Sequence, residues 1–329
     1  MLMKTIIFIL ASSCAAAESF QLPLKCHLGH TCFVETHQEV AEKKDVPCGV
    51  SPLLKFRISA FQRKASPFSL IYPAATGTIS SLETNHPDFL SQKINGQGKP
   101  ACGNRVVIDH GHGWQTTYCH LRKDSSDHLK IGQKVTLDHA IGAIGLSGDT
   151  TFPHLGFFIT KNKLFVNPHY GIQTNPQKCN RTAAPLWDQK TQEQLKKSHD
   201  PQLISMGVAD IEPDLPSLIL NTSALTSSPN PEALYVYALL GNSSPKDRVI
   251  ITVQDQEGQL LAHNITPSFG GMSVAQRLHN FRIARPGQAW PVGSVHFNYT
   301  YLAFDGKRHK PLFSRILTIN FQESNRTAI

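Results

Sequence analysis

The chain has 329 residues, of which 32 are Lys or Arg and 24 are Asp or Glu, giving a net charge of +8, with 40% apolar side chains. That length suits two ordinary domains, and 22 Gly with 21 Pro describe a loop-rich globular protein and exclude a disordered one. The basic residues are scattered, and neither a Gly-rich phosphate loop nor a nucleic-acid-binding signature occurs, so nucleic acid is not expected as a partner.

Residues 1–17, MLMKTIIFILASSCAAA, join Lys4 to an apolar run over Thr5–Ala11 and an Ala-Ala-Ala end. This is the layout of a cleaved secretory signal peptide, too short for a membrane span. No later stretch approaches the ~18 apolar residues that a spanning helix needs, so no membrane span is expected. Ala-Ser-Ser before Cys14 is a poor lipoprotein signal. Cleavage near Ala17 leaves 31 basic and 24 acidic side chains, a charge of +7, and Cys26, Cys32, Cys48, Cys102, Cys119 and Cys179. An even set in an exported chain reads as disulfides, and Cys26–Cys32, enclosing a short loop, is the first pair expected. No CxxC pair exists to support a four-cysteine zinc site.

Residues 18–50 read as a Cys-rich N-terminal arm. Residues 51–172 carry short strand-like runs at Ser69–Tyr72, Thr78–Leu82, Arg105–Asp109, Gln115–Leu121 and Phe157–Thr160, separated by Gly, Pro and Asp. Their spacing predicts an antiparallel sheet or flattened barrel. His110-Gly-His-Gly113 reads as a tight turn, with His110 and His112 solvated. Residues 173–215 read as a linker, with a helix over Trp187–Lys197 after Pro185 and a connecting stretch over Leu203–Leu215. Residues 216–329 change character. Arg248–Val253 and Gln259–Ala262 flank a Gln256-Glu-Gly turn, and Ser294–Ala303 alternates, with Val295, Phe297, Tyr299 and Tyr301 on one face. This region predicts a small β-sandwich of immunoglobulin-like type, so the fold class is mainly β. Asn-x-Ser/Thr sequons at Asn180, Asn221, Asn242, Asn264, Asn298 and Asn325 are read as chance matches.

Two stretches carry the chemistry: GNRVVIDHGHGWQTTYCHL (Gly103–Leu121) and IGAIGLSGDTTFPHLGFF (Ile141–Phe158). On the first, a period of two places Thr116, Tyr118 and His120 on one face, with Thr117, Cys119 and Leu121 on the other. On the second, His154 and position 156 share a face. Together with FQLPLKCHLGHTCFV, PAATGTISSLE, LKIGQKVTLDHAIGAIGLSG and FVNPHYG, they resemble the lysostaphin- or LytM-type zinc metallopeptidases, which cut peptidoglycan peptides. The resemblance covers roughly residues 20–180 and implies a LytM-like sheet domain over 51–172. It also implies two zinc ligands from an early His…Asp pair, a third from the second His of His-x-His, and two further histidines that steer water or stabilise the oxyanion.

The two non-ligand histidines match His120 and His154. The third ligand position is Gly156. The segment around Phe56-Arg57-Ile58 puts Lys55 where the Asp belongs, and no His lies between His37 and His86. A zinc hydrolase needs three protein ligands and an open position for water. On this alignment none of the three remains, so no metal or other cofactor is expected. An ammonium at position 55 would repel Zn²⁺, or stand in for its charge by pairing with a bound carboxylate.

The reading is an exported, periplasmic or secreted, catalytically degenerate relative that binds peptidoglycan peptides or a cell-wall-associated protein. One alternative is an active zinc endopeptidase using His27, His30, His37 or His86 as ligands. A second is a secreted adhesin or effector that works through its C-terminal β-sandwich. A serine hydrolase is excluded, because Gly145-Leu-Ser-Gly148 lacks the Gly-x-Ser-x-Gly elbow.

Overall fold

The computed structural model describes residues 19–26, 28, 32–35, 54–58, 70–88, 101–150, 152–172, 184–196, 200–214, 218, 228, 230–270 and 274–322. The expected signal peptide, Cys48, Cys179 and the sequons at Asn180, Asn221 and Asn325 lie outside the described residues.

The first core is built by strands β1 (Cys32–Glu35), β2 (Leu54–Ile58), β3 (Leu70–Ile71), β4 (Gly77–Glu83), β5 (Arg105–Gly111), β6 (Trp114–Cys119), β7 (Lys134–Val135), β8 (Gly142–Ala143), β9 (Leu155–Lys161) and β10 (Leu164–Val166). Eight of them form one antiparallel sheet in the order β1-β2-β9-β6-β5-β4-β7, with β10 added on β9, while β3 and β8 pair separately. Strict alternation decides which face is buried: Phe56, Val106, Ile108, Tyr118, Leu155, Phe157 and Ile159 all point into the core. The opposite face carries Lys55, Arg57, Cys119, Gly156 and Phe158, and it is the face that matters for function.

Turn chemistry fixes the register. β5 and β6 meet through His112-Gly113 with φ of 50° and 80°, the positive pair that a two-residue type I′ turn requires. β9 and β10 meet through Asn162-Lys163 in the same way, at 50° and 67°. The two tips touch, with Asn162 N donating to Gly113 O at 2.8 Å. A Cβ on Gly113 would lie 1.9 Å from Asn162 Oδ1, so both the φ and the close approach demand glycine there.

The N-terminal arm is part of this core: Phe20, Leu24 and Leu28 are buried in it, and β1 extends the sheet. The expected bridge Cys26–Cys32 is present. Helix α1 (Gln189–Lys196) begins where Asp188 accepts a hydrogen bond from Thr191 N at 2.7 Å, an N-cap, and it buries Thr191 and Leu195. Thr191 Oγ1 in turn accepts from Leu22 N at 3.0 Å.

The second core is a two-sheet sandwich of β11 (Gln202–Ala209), β12 (Ala233–Ser243), β13 (Arg248–Gln254), β14 (Leu260–Ile265), β15 (Val274–Ala284), β16 (Gly293–Phe304) and β17 (His309–Phe321). The sheets run β11-β12-β15 and β14-β13-β16-β17. Val295, Phe297, Tyr299 and Tyr301 fill the space between them, each fully buried. Two expectations change. Leu203–Leu215, read as a connection, opens as β11, whose Met206 and Val208 belong to the sandwich core; Pro213 and Pro216 obscured a strand ending before them. The fourth strand, β14, pairs with β13, whereas the constant-type immunoglobulin pairing places it on the three-stranded sheet.

Candidate functional site

The site lies where β2, β6 and β9 run side by side. Lys55 on β2 and Cys119 on β6 both face Gly156 on β9 in register. Lys55 and Gly156, far apart in sequence, are therefore direct cross-strand neighbours on one face.

His120 reaches the same point by leaving the strand pattern. β6 ends at Cys119, and His120 takes a left-handed φ of 62°, uncommon for a residue with a side chain. Its backbone is pinned there: His120 N donates to Cys102 O and its carbonyl accepts from Gly145 N, both at 2.9 Å. The disulfide Cys102–Cys119 clamps the adjoining loop to the end of β6. Alternation had placed His120 opposite Cys119; the left-handed residue overrides it. A Cβ added to Gly156 would meet His120 Cδ2 at 3.1 Å, Cys119 Cβ at 3.2 Å and His120 Nε2 at 3.4 Å. The two side chains therefore close tightly on Gly156, where even a Cβ would be crowded.

His154 completes the cluster. Its ring lies 4.5 Å from that of His120 on one side and 4.4 Å from Phe152 on the other. Phe152 is itself capped by the Arg57 guanidinium at 3.2 Å, with Lys55 Nζ 5.6 Å from the same ring. The result is a continuous stack, Arg57–Phe152–His154–His120, beside an ammonium.

The hydrogen bonds fix the tautomers. His120 Nδ1 meets Ser147 O at 2.8 Å, and His154 Nδ1 meets Phe152 O at 2.9 Å with Thr150 Oγ1 at 3.1 Å. A carbonyl oxygen only accepts, so both Nδ1 atoms carry the proton and both Nε2 atoms present a lone pair. His154 Nε2 is buried and has no hydrogen-bond partner among the described residues. Burial lowers the pKa of His120, and the charge of Lys55 adds to this against the opposing Ser147 hydrogen bond. Burial and the neighbouring His120 ring hold His154 well below the ordinary histidine value, with Lys55 and Arg57 contributing in the same direction. Both rings are neutral at pH 7.

The remaining candidates fall elsewhere. His112 is exposed, as expected. His110 is not the solvated residue its turn suggested: Nδ1 bonds Thr76 O at 2.7 Å, Nε2 bonds Thr116 Oγ1 at 2.8 Å, and Phe20 packs edge-on at 5.5 Å. It lies at the other end of the sheet, beside a cavity of about 510 Å³ lined by Thr76, Asp109, Lys134 and Thr136. Asp109 is held by its own turn, accepting from Gly111 N at 2.8 Å. His86 faces Glu83 at 3.2 Å; His27, His30 and His37 lie outside the described residues. Sequence reasoning missed the parts played by Arg57, Phe152 and Ser147. The signal for Arg57 was present, since it stands two residues from Lys55 on the same strand face.

Residues 63–168 match the family described as Peptidase family M23. This stretch of the chain is similar to LytM-type M23 domains. Over 108 residues the chain is 33% identical to the peptidoglycan DD-endopeptidase ShyA of Vibrio cholerae, covering 31% of this chain and 24% of that protein. It is 37% identical over 62 residues to the cell division protein DipM of Caulobacter vibrioides, covering 19% and 10%. The chain thus spans about a quarter or less of the length of these relatives. Among solved structures, a zinc containing peptidase from Vibrio cholerae is similar at 19% identity and a TM-score of 0.31, covering 46% of this chain and 39% of that one. Lysostaphin from Staphylococcus simulans is similar at 13% identity and a TM-score of 0.26, covering 80% and 88%.

The described residues of this M23-like stretch do not fit a zinc ion. Among the described residues no three His, Cys, Asp or Glu side chains come together to hold a metal. Gly156 offers no donor, and the cation at Lys55 lies beside the two imidazoles whose lone pairs would have to serve.

Proposed function

We propose that the chain is an exported, periplasmic or secreted, binding module derived from a zinc peptidase, and that its M23 groove holds cell-wall peptides without cutting them. One observation carries this reading: Lys55 and Gly156 stand opposite each other at the heart of the site, where a zinc hydrolase needs donors. A hydrolase must also activate water, which Zn²⁺ does by lowering the pKa of the water it binds; a lysine ammonium has no vacant orbital with which to do so. What remains is a cluster of aromatic rings and hydrogen-bonding groups beside the positive charge of Lys55 and Arg57, which suits recognition. Among the described residues no helix is long and apolar enough to cross a membrane.

The test is incubation of the purified full chain with isolated peptidoglycan sacculi, with and without added zinc. Co-sedimentation with the sacculi and no release of soluble fragments under either condition is the expected result. Zinc-dependent release of fragments would refute the proposal, and so would failure to sediment.

A further inference from the structure

We infer that one end of the second sandwich, built from the Ser244–Asp247 turn and the tip of the β16–β17 hairpin, is a docking face for an anionic lipid surface. The inference rests on this core alone and is independent of the M23 groove.

The sheet register leaves the hairpin projecting. The pairing of β13 with β16 stops at Arg248 opposite Leu302, whereas β16 and β17 pair on to Phe304 opposite His309. The hairpin thus passes the last rung of its neighbour and carries Asp305-Gly306-Lys307-Arg308, all exposed, at its tip. It is braced there. His309 Nε2 donates to Lys246 O at 2.8 Å, and the Phe304 ring contacts both the His309 ring, at 5.1 Å, and Lys246 Nζ, at 5.5 Å. Segments 63 residues apart in sequence are thereby held as one basic face.

The carboxylates of these turns are satisfied inside the fold, while the cations are not. Asp247, 2% exposed, accepts from Ser244 N at 2.8 Å, from Phe304 N at 2.9 Å and from the Tyr301 hydroxyl. Asp305 pairs with Lys310 Nζ at 2.7 Å and accepts from Lys307 N and Arg308 N at 2.9 Å, which holds its carboxyl below the usual range. Lys246, Lys307 and Arg308 are exposed and pair with no carboxylate among the described residues, and Arg248 Nε meets the neutral hydroxyl of Ser268 at 3.3 Å. Three unpaired cations with a fourth beside them give the tip a positive field. A projecting tip does not enclose a small anion; it meets a surface. The neighbouring Pro311 and Leu312 are exposed, Leu312 at 45%. A soluble polyanion would satisfy the cations and leave Leu312 in water. The headgroup layer of a membrane accepts basic and apolar side chains side by side, so it fits both.

The experiment is co-sedimentation of the purified mature chain, beginning after Ala17, with vesicles of phosphatidylcholine alone and of phosphatidylcholine mixed with phosphatidylglycerol. Binding to the mixed vesicles, weakened by salt, is the expected result. Lys307→Ser with Arg308→Ser should lower that affinity roughly thirtyfold, at about fivefold for each basic residue near an anionic surface. Lys130→Ser with Lys190→Ser is the matched control: it removes the same charge from exposed positions elsewhere and should leave binding within about twofold of the wild type. All variants should melt with the wild type, since each changes an exposed side chain. Leu312→Ser should weaken binding at low and high salt alike. Equal binding to neutral vesicles, a tip variant that binds like the wild type, or a control that loses as much as the tip variant would each overturn the inference. Tip-dependent binding to soluble inorganic polyphosphate without binding to vesicles would assign the face to a free polyanion and overturn the lipid assignment.

Discussion

If Lys55 and Gly156 occupy former ligand positions, then Lys55→Asp with Gly156→His should return a zinc site. The two positions are cross-strand neighbours, so a carboxylate and an imidazole placed there face one another, with His120 Nε2 as a third donor 3.4 Å from the added Cβ. The cost can be worked from the same contacts. A Cβ at 156 sits 3.1 Å from His120 Cδ2 and 3.2 Å from Cys119 Cβ, so the ring must shift by a few tenths of an ångström. Overpacking of this kind costs about 1–3 kcal/mol. At roughly 2–4 °C per kcal/mol, metal-free Gly156→His should melt about 2–12 °C below the wild type. Zinc at a hundred times its Kd returns about 2.7 kcal/mol, enough to recover most of that loss in the double variant. The assay is thermal unfolding with and without zinc, paired with metal content after desalting. Lys55→Met with Gly156→His is the control: it keeps the crowding, lacks the carboxylate and should gain nothing from zinc. A folded double variant that retains no metal and shows no zinc-dependent shift would refute the placement of both ligand positions.

Further outcomes are open to direct measurement. His279 in the sandwich has its pKa lowered to about 4 by burial and by Arg277. Its unfolded form takes up a proton near pH 6.5 while the folded form does not, so stability falls as pH drops below that value. The loss should reach about 2 kcal/mol at pH 5 and about 3 kcal/mol at pH 4, and His279→Phe should remove this component from the urea-unfolding profile. Superimposable wild-type and variant pH profiles would contradict the assignment. Cys102→Ser with Cys119→Ser opens a link spanning 17 residues and should cost about 3 kcal/mol, while the His120 imidazole signal broadens as its clamp is released. Tyr301 donates to the buried Asp247, which also accepts from Ser244 N and Phe304 N; Tyr301→Phe should therefore cost roughly 1.5–3 kcal/mol in denaturant unfolding.

Much of the fold was legible because its strands alternate cleanly. The alternation in β16 assigns a buried face residue by residue, and the glycines at 111 and 113 mark a hairpin in the sequence itself. The site was legible in its composition and less so in its arrangement. His120 and His154 stand out in TTYCHL and FPHLGF, and Lys55 and Gly156 emerge by resemblance to the M23 family. Strict alternation nevertheless put His120 on the wrong face, because nothing in its own identity signals a left-handed φ; that conformation is imposed by Cys102 O, Gly145 N and the disulfide, all contributed by other parts of the chain. His110 failed for a related reason. A turn position predicts solvent, but Thr76, Thr116 and Phe20 arrive from three separate segments to enclose it. β11 was lost because prolines following it looked like the start of a linker.

The substitutions at the site are physically coherent as a set. On the proposed alignment, a divalent cation and an aspartate, together +1, give way to a lysine, also +1. The local charge is conserved while its carrier changes from a Lewis acid to an ammonium. Two neutral imidazoles whose Nδ1 protons are fixed by Ser147 and Phe152 remain in place. Had the aspartate stayed without its metal, it would sit beside the guanidinium of Arg57 and the two imidazoles, drawing a proton onto His154 and cancelling the pocket's charge. Lysine at position 55 keeps both rings neutral and the groove positive. On the proposed reading, a site with that charge lacks the Lewis acid that generates hydroxide, while the Lys55 ammonium keeps an attraction for anions.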